Sequence, residues 1–172
     1  MRSSLFTILA AIRTQCASTQ ARAVRPLELE REDGRTLPVL EDPDGEPLDG
    51  LLGAPIELGR FLRLAVCISI ALGRLHQRGV VHKDLKPGHI LVNCADGEVR
   101  LTGLGIATRL PRERHALESP ETIAGTLAYM APERTGRMNR STDSRSDLYA
   151  LGVTFYQMIV GALPFTASDP LE

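Results

Sequence analysis

No charge of one sign dominates this chain of 172 residues: 20 Lys and Arg face 21 Asp and Glu, for a formal net charge of −1. A surface so balanced offers no polybasic footprint, which argues against nucleic acid or an anionic membrane as partner. Cysteine is scarce as well. Cys16, Cys67 and Cys94 are odd in number and far apart, so they give neither the paired spacing of a zinc site nor the density of a disulfide scaffold, and a reducing, cytoplasmic setting is expected. No apolar run reaches the roughly 18 residues that a membrane span needs. Internal repeats and low-complexity tracts are missing too. What is there is 43% hydrophobic residues in a length suited to one globular domain with a single core.

The opening residues place a charge before a short apolar run, as a signal peptide does, but Arg13 ends the run and no cleavage pattern follows. Leu5, Ile8, Leu9 and Ile12 fall at helical spacing, so residues 1–23 are expected to form a helical segment of uncertain role. Val24 to Glu30 and Thr36 to Leu40 read as two strands around the turn-forming Glu32-Asp33-Gly34-Arg35, a hairpin. From Glu41 to Pro47 two prolines, a glycine and four acids predict a solvated connector without regular structure, a hinge at the end of a strand-rich part spanning 24–47.

A mainly helical part, 48–172, follows. Phe61, Leu64, Ala65, Ile68, Leu72 and Leu75 recur at three- and four-residue steps and mark the buried stripe of a helix from Leu58 to Arg78, with Gly79 as its cap. Asp96-Gly97 between Ile90–Asn93 and Val99–Thr102 is a hairpin signal. The polar segment from Arg109 to Thr122 reads as a surface loop. A second helix is expected from Ser146 to Met158 or Ile159, closed by Gly161, and Asp169-Pro170-Leu171-Glu172 has the form of a further helix start. His76 and His115 show no partner pattern and read as a helix and a loop residue.

The chemistry is concentrated in His82-Lys83-Asp84-Leu85-Lys86-Pro87-Gly88-His89. It is followed in order by Thr102-Gly103-Leu104-Gly105, by Gly125 to Glu133 ending in Ala-Pro-Glu, by Ser146-Asp147-Leu148-Tyr149-Ala150-Leu151-Gly152 and by Leu163-Pro164-Phe165. The first resembles the protein kinase catalytic loop H-R-D-L-K-P-x-N, and the others resemble the D-F-G turn, the end of the Ser/Thr kinase activation segment, the helix after it and the loop beyond. The resemblance covers roughly residues 24 to 172. Thr135 to Ser141 carries a narrower likeness to the kinase-like region that opens large bacterial signalling proteins containing an ATPase-like region and a sensor histidine kinase.

The resemblance implies an α+β kinase-like fold, with a partial small lobe of few strands and a mainly helical large lobe lacking its last helices. It implies ATP and Mg2+ as cofactors. Asp84 takes the place of the catalytic base, Lys86 of the lysine that meets the transferring phosphate, and Thr126 of the threonine that positions Ser/Thr substrates. Glu41 and Asp42 fall at the nucleotide hinge, with Pro43 where a backbone N–H would face adenine. His82, Asp147 and Glu133 are implied to be structural: His82 under the metal-binding turn, Asp147 as acceptor for the catalytic-loop backbone, and Glu133 as partner of an arginine beyond residue 172.

Several positions depart from that pattern. His89 replaces the metal-binding asparagine, and imidazole nitrogen is a poor ligand for hard, oxygen-seeking magnesium. Gly103 replaces the aspartate that is the principal metal ligand, while Leu104 keeps an apolar residue in place of phenylalanine. No G-x-G-x-x-G or V-A-I-K precedes the catalytic loop, as though the first three strands of the small lobe were missing. Lys83 replaces the arginine that pairs with a phosphorylated activation loop, and it lacks the bidentate fork. Three readings follow: an active Ser/Thr kinase, a pseudokinase interaction module, or a remnant of a longer signalling kinase. The partner would be a protein substrate or a neighbouring polypeptide that supplies the missing parts.

Overall fold

Two short runs rich in apolar residues give an antiparallel ladder, β1 (Pro26–Glu32) with β2 (Arg35–Leu40), in which Leu29 pairs with Pro38 and Glu32 with Arg35. The strands reach closer to the turn than the sequence suggested. The computed structural model describes residues 23–24, 26–32, 35–42, 44–93, 97–109, 127–134 and 143–165. The expected N-terminal helix, Pro43, the turn at Asp96, most of the 109–122 loop, His115, Thr126, Thr135 to Ser141 and the final helix start lie outside them.

The connector differs from expectation at its end. Glu46–Pro47 forms a two-residue strand, β3, pairing with Leu91 and Val92 of β5 (Ile90–Val92). Proline is tolerated because β3 is an edge strand, with β5 between it and β6 (Val99–Leu101). The hairpin expected around Asp96-Gly97 pairs Ile90 with Leu101 and Val92 with Val99, and Gly97 supplies a left-handed φ of 73°. A third ladder joins β4 (Val80–Val81) to β7 (Thr108–Arg109), so Arg109 belongs to a strand rather than the loop.

Helix α1 (Leu58–Gln77) buries Phe61, Leu64, Ile68, Ala71, Leu72 and Leu75, the stripe that its spacing predicted save that Ala65 is half-buried and Ala71 joins it. Its N-terminus is capped by Glu57, whose carboxylate accepts from the backbone N–H of Gly59 (2.7 Å) and Arg60 (2.8 Å). Those two N–H groups hold the Glu57 carboxyl below its ordinary value. Helix α2 (Ser144–Val160) starts at Asp143, which accepts from Arg145 N–H, and ends at Gly161 with φ 79°. The helices meet through an edge-to-face contact of Phe61 and Phe155, ring centroids 5.7 Å apart. Leu48, Ile68, Leu72, Leu75, Leu85, Ile90, Leu101 and Met158 complete a core that spans both helices, the β5–β6 hairpin and the catalytic-loop segment. Each such side chain contributes about 2 kcal/mol by leaving water.

The opposite faces of the helices are apolar too. Leu58, Leu62, Val66 and Ile70 form an exposed row at four-residue steps on α1, and Leu148, Tyr156, Ile159 and Val160 are exposed on α2. Among the described residues no helix is long and apolar enough to cross a membrane.

Candidate active site

The segment from His82 to His89 runs between β4 and β5, and its shape is fixed from beneath by buried Asp147 of α2. Asp147 Oδ2 accepts from the His82 N–H and Oδ1 from the Lys83 N–H, each at 2.8 Å. A third donor, His76 Nε2, reaches Oδ2 at 2.8 Å. Lys83 has φ 68°, a left-handed conformation that costs a non-glycine residue about 1–2 kcal/mol. Asp147 on its N–H and the Arg134 guanidinium on its carbonyl oxygen hold it there.

His82 is fully buried. Its Nε2 donates to the Thr102 carbonyl at 2.8 Å and its Nδ1 accepts from the Asp84 N–H at 3.2 Å, which fixes a neutral tautomer. Burial pushes its pKa below the ordinary value, against the upward pull of Asp147 and the Thr102 carbonyl. The ring thereby ties the loop to the 102–105 turn.

Three side chains converge above it. Lys86 Nζ stands 3.4 Å and His89 Nδ1 3.3 Å from Asp84 Oδ2. The other carboxylate oxygen, Oδ1, is buried and has no hydrogen-bond partner among the described residues. An acceptor held in this state, with a cation beside it, suits a hydroxyl donor. His89 Nδ1 also lies 2.7 Å from the Asp84 carbonyl oxygen and must donate to it, so the ring is anchored.

Order, spacing and geometry agree with the comparison to known families, since residues 15–172 match the protein kinase domain. The chain belongs to the protein kinase family. It is 39% identical over 163 residues, 92% of its length, to the DNA damage-responsive serine/threonine-protein kinase RqkA of Deinococcus radiodurans. It is 38% identical over 130 residues, 74% of its length, to the serine/threonine-protein kinase Pkn1 of Myxococcus xanthus. To the serine/threonine-protein kinase PknB of Mycobacterium tuberculosis it is 29% identical over 165 residues, 96% of its length. The chain spans 24% of the length of RqkA and PknB and 18% of Pkn1.

Within the kinase frame the cation positions are altered. The family's chemistry uses ATP with Mg2+, an ion that takes oxygen ligands in tight octahedral geometry. Asp84 is the one carboxylate in the loop, His89 offers nitrogen, and Gly103 offers nothing. Among the described residues no group of three or more His, Cys, Asp or Glu side chains could hold a metal. These residues do not fit magnesium. Gly103 has φ 73° and ψ 28°, and a Cβ built on it would lie 2.6 Å from His89 Cδ2 and nearer still to Cγ and Nδ1. The imidazole stands where a side chain of residue 103 would begin. Leu104 next to it is buried, as its apolar character required.

Of the two residues expected at a nucleotide hinge, Glu41 is bound to Arg100 of β6 at 3.0 Å and Asp42 is exposed. Glu133 is half-buried and accepts from Ser146 Oγ at 2.7 Å. Two contributors escaped the sequence reading. His76, taken as a helix residue without a partner, lies four positions after Leu72 on the inward side of α1 and meets Asp147. Arg134, directly after Ala-Pro-Glu, reaches back to the Lys83 carbonyl.

Proposed function

We propose that this chain is a Ser/Thr-kinase-fold signalling module of the bacterial cytoplasm with weak or no phosphoryl transfer of its own. One observation carries that reading: His89 and Gly103 stand where a kinase presents its cation ligands, and the ring of one fills the side-chain space of the other. Phosphoryl transfer relies on positioning and on neutralising phosphate charge, and each lost electrostatic contact costs on the order of 10²–10³ in rate. In the family reaction, transfer of the ATP γ-phosphate to a Ser or Thr hydroxyl, Asp84 would accept the hydroxyl proton at Oδ1 and Lys86 would face the phosphate. Their proximity, Lys86 Nζ 3.4 Å from Asp84 Oδ2, supports that part of the reading.

The apolar rows on α1 and α2 support an interaction role, because contiguous exposed apolar surface marks a contact face. The occupant we propose is a segment of a neighbouring polypeptide. The row of Leu58, Leu62, Val66 and Ile70 favours a helical segment, since it has the spacing of a helix–helix seam.

Thermal unfolding of the purified chain with ATP, with and without Mg2+, tests the reading, with Asp84→Ala as control. A ligand at about 100 times its Kd would add about 2.7 kcal/mol, a readily measured rise. The expected result is a cooperative transition whose midpoint Mg2+ does not raise. A magnesium-dependent rise that Asp84→Ala abolishes would contradict it.

A further inference from the structure

Taken one residue at a time, His89 and Gly103 are two separate losses. The geometry joins them. The His89 ring is held by its Nδ1–H on the Asp84 carbonyl and by the Asp84 carboxylate 3.3 Å away, and it lies roughly parallel to the His82 ring at 27° with centroids 6.1 Å apart. A ring fastened on that side cannot swing off Gly103 without giving up those contacts. At 103 itself the backbone is no obstacle to aspartate. The left-handed region is one that Asp enters more readily than other L residues. The obstacle is steric, since a Cβ there falls well inside van der Waals contact distance of three imidazole atoms.

We propose that His89 and Gly103 form one coupled substitution, in which the anchored imidazole fills the space from which residue 103 would reach a divalent cation, so that neither position can be restored alone and joint replacement reopens a cation site. The proposal deepens the reading of this domain as one with weakened catalysis, and its tests do not depend on catalysis. Gly103→Asp alone drives a carboxylate into the ring. His89→Asn alone clears the space and leaves one new oxygen with no aspartate at 103. With both substitutions, the amide introduced at 89, the carboxylate introduced at 103 and the carboxylate of Asp84 would place three oxygen-bearing side chains around one volume, a donor set that suits Mg2+ or Mn2+.

The probe is Mn2+ alone, read as loss of the free-ion electron paramagnetic resonance signal, on the full chain and on Gly103→Asp, His89→Asn and the double variant. The double variant is expected to bind Mn2+ at least about tenfold tighter than the parent and than either single variant, the low end of the roughly 10–100-fold by which changes even in the groups around metal ligands alter affinity. If Gly103→Asp alone binds as tightly as the double variant, or the double binds no tighter than the parent, the proposal is overturned.

A second cycle covers the case in which Gly103→Asp does not fold. Gly103→Ala should lower the thermal midpoint by about 5 °C or more in the parent, and by less than half as much in a His89→Ala background, because the conformational part of the cost is common to both. Equal losses in the two backgrounds would overturn the steric claim. Catalysis by the parent chain would instead count against the proposed function and leave this cycle standing.

Discussion

His76 on α1 and Asp147 on α2 lie 71 positions apart and meet at 2.8 Å, side chain to side chain, directly beneath the catalytic loop. That contact makes Asp147 the meeting point of three donors: one helix imidazole and two loop N–H groups.

Asp147→Ala should therefore unfold the loop's support rather than trim one bond. Three donors lose their acceptor, and two belong to backbone whose strained turn at Lys83 depends on it. A loss of about 3 kcal/mol is expected, seen as a fall of about 6–12 °C in the thermal midpoint. His76→Ala, which removes one of the three, should cost about 1 kcal/mol.

The pH dependence of stability should carry the mark of His82. Its folded pKa is depressed by burial, so the unfolded chain takes up a proton that the folded chain refuses. Stability from this source is full above the unfolded value of about 6.5 and declines as pH falls from there toward the lowered folded value. Calorimetry at about pH 7.5 and 5.5 should show the lower midpoint in acid, with a smaller difference in His82→Gln. Glu57 is a carboxyl with a depressed folded pKa, so its contribution is lost only as pH falls below its ordinary 4.5, outside that window.

The two faces of α1 should answer differently to the same truncation. Phe61→Ala removes the ring that packs edge-on against Phe155 and should cost about 3–5 kcal/mol. Leu62→Ala, one position along and 53% exposed, should change stability by less than about 0.5 kcal/mol. If the exposed row binds a partner segment, Leu62→Ala will weaken that association while leaving the midpoint of the free chain unchanged.

Glycines in and after α2 separate in the same way. Gly161 has φ 79° and its Cβ would lie 3.0 Å from Pro55, so Gly161→Ala should destabilise by about 1–3 kcal/mol. Gly152 sits inside the helix with open space around it, and Gly152→Ala should stabilise by about 1 kcal/mol. Equilibrium denaturation in urea distinguishes the signs.

Periodicity was sufficient for the helices. The stripe from Phe61 to Leu75 and the glycines after each helix place α1 and α2 within two residues of their observed ends, because burial of one face and the left-handed cap are local demands. The strand at Glu46–Pro47 was not legible: its composition reads as a loop, and only an edge beside β5 gives it pairing. Asp84, Lys86 and Asp147 were singled out by their motif, and the fold brings Lys86 to Asp84 and Asp147 under the loop backbone. His76 and Arg134 were not, since their partners lie 71 and 51 positions away and depend on how the chain folds back. The collision between His89 and Gly103 is likewise spatial, for the sequence shows two absent ligands and only the fold shows one occupying the room of the other.

Phosphate incorporation from γ-labelled ATP with Mg2+, into the chain itself and into a generic Ser/Thr-rich acceptor protein, measured for the parent and for Asp84→Ala, tests the central claim most directly. The account predicts little or no incorporation that depends on Asp84. Transfer by the parent at the roughly 1–100 per second of working kinases, eliminated by Asp84→Ala, would show that the catalytic loop works despite His89 and Gly103, and would contradict it.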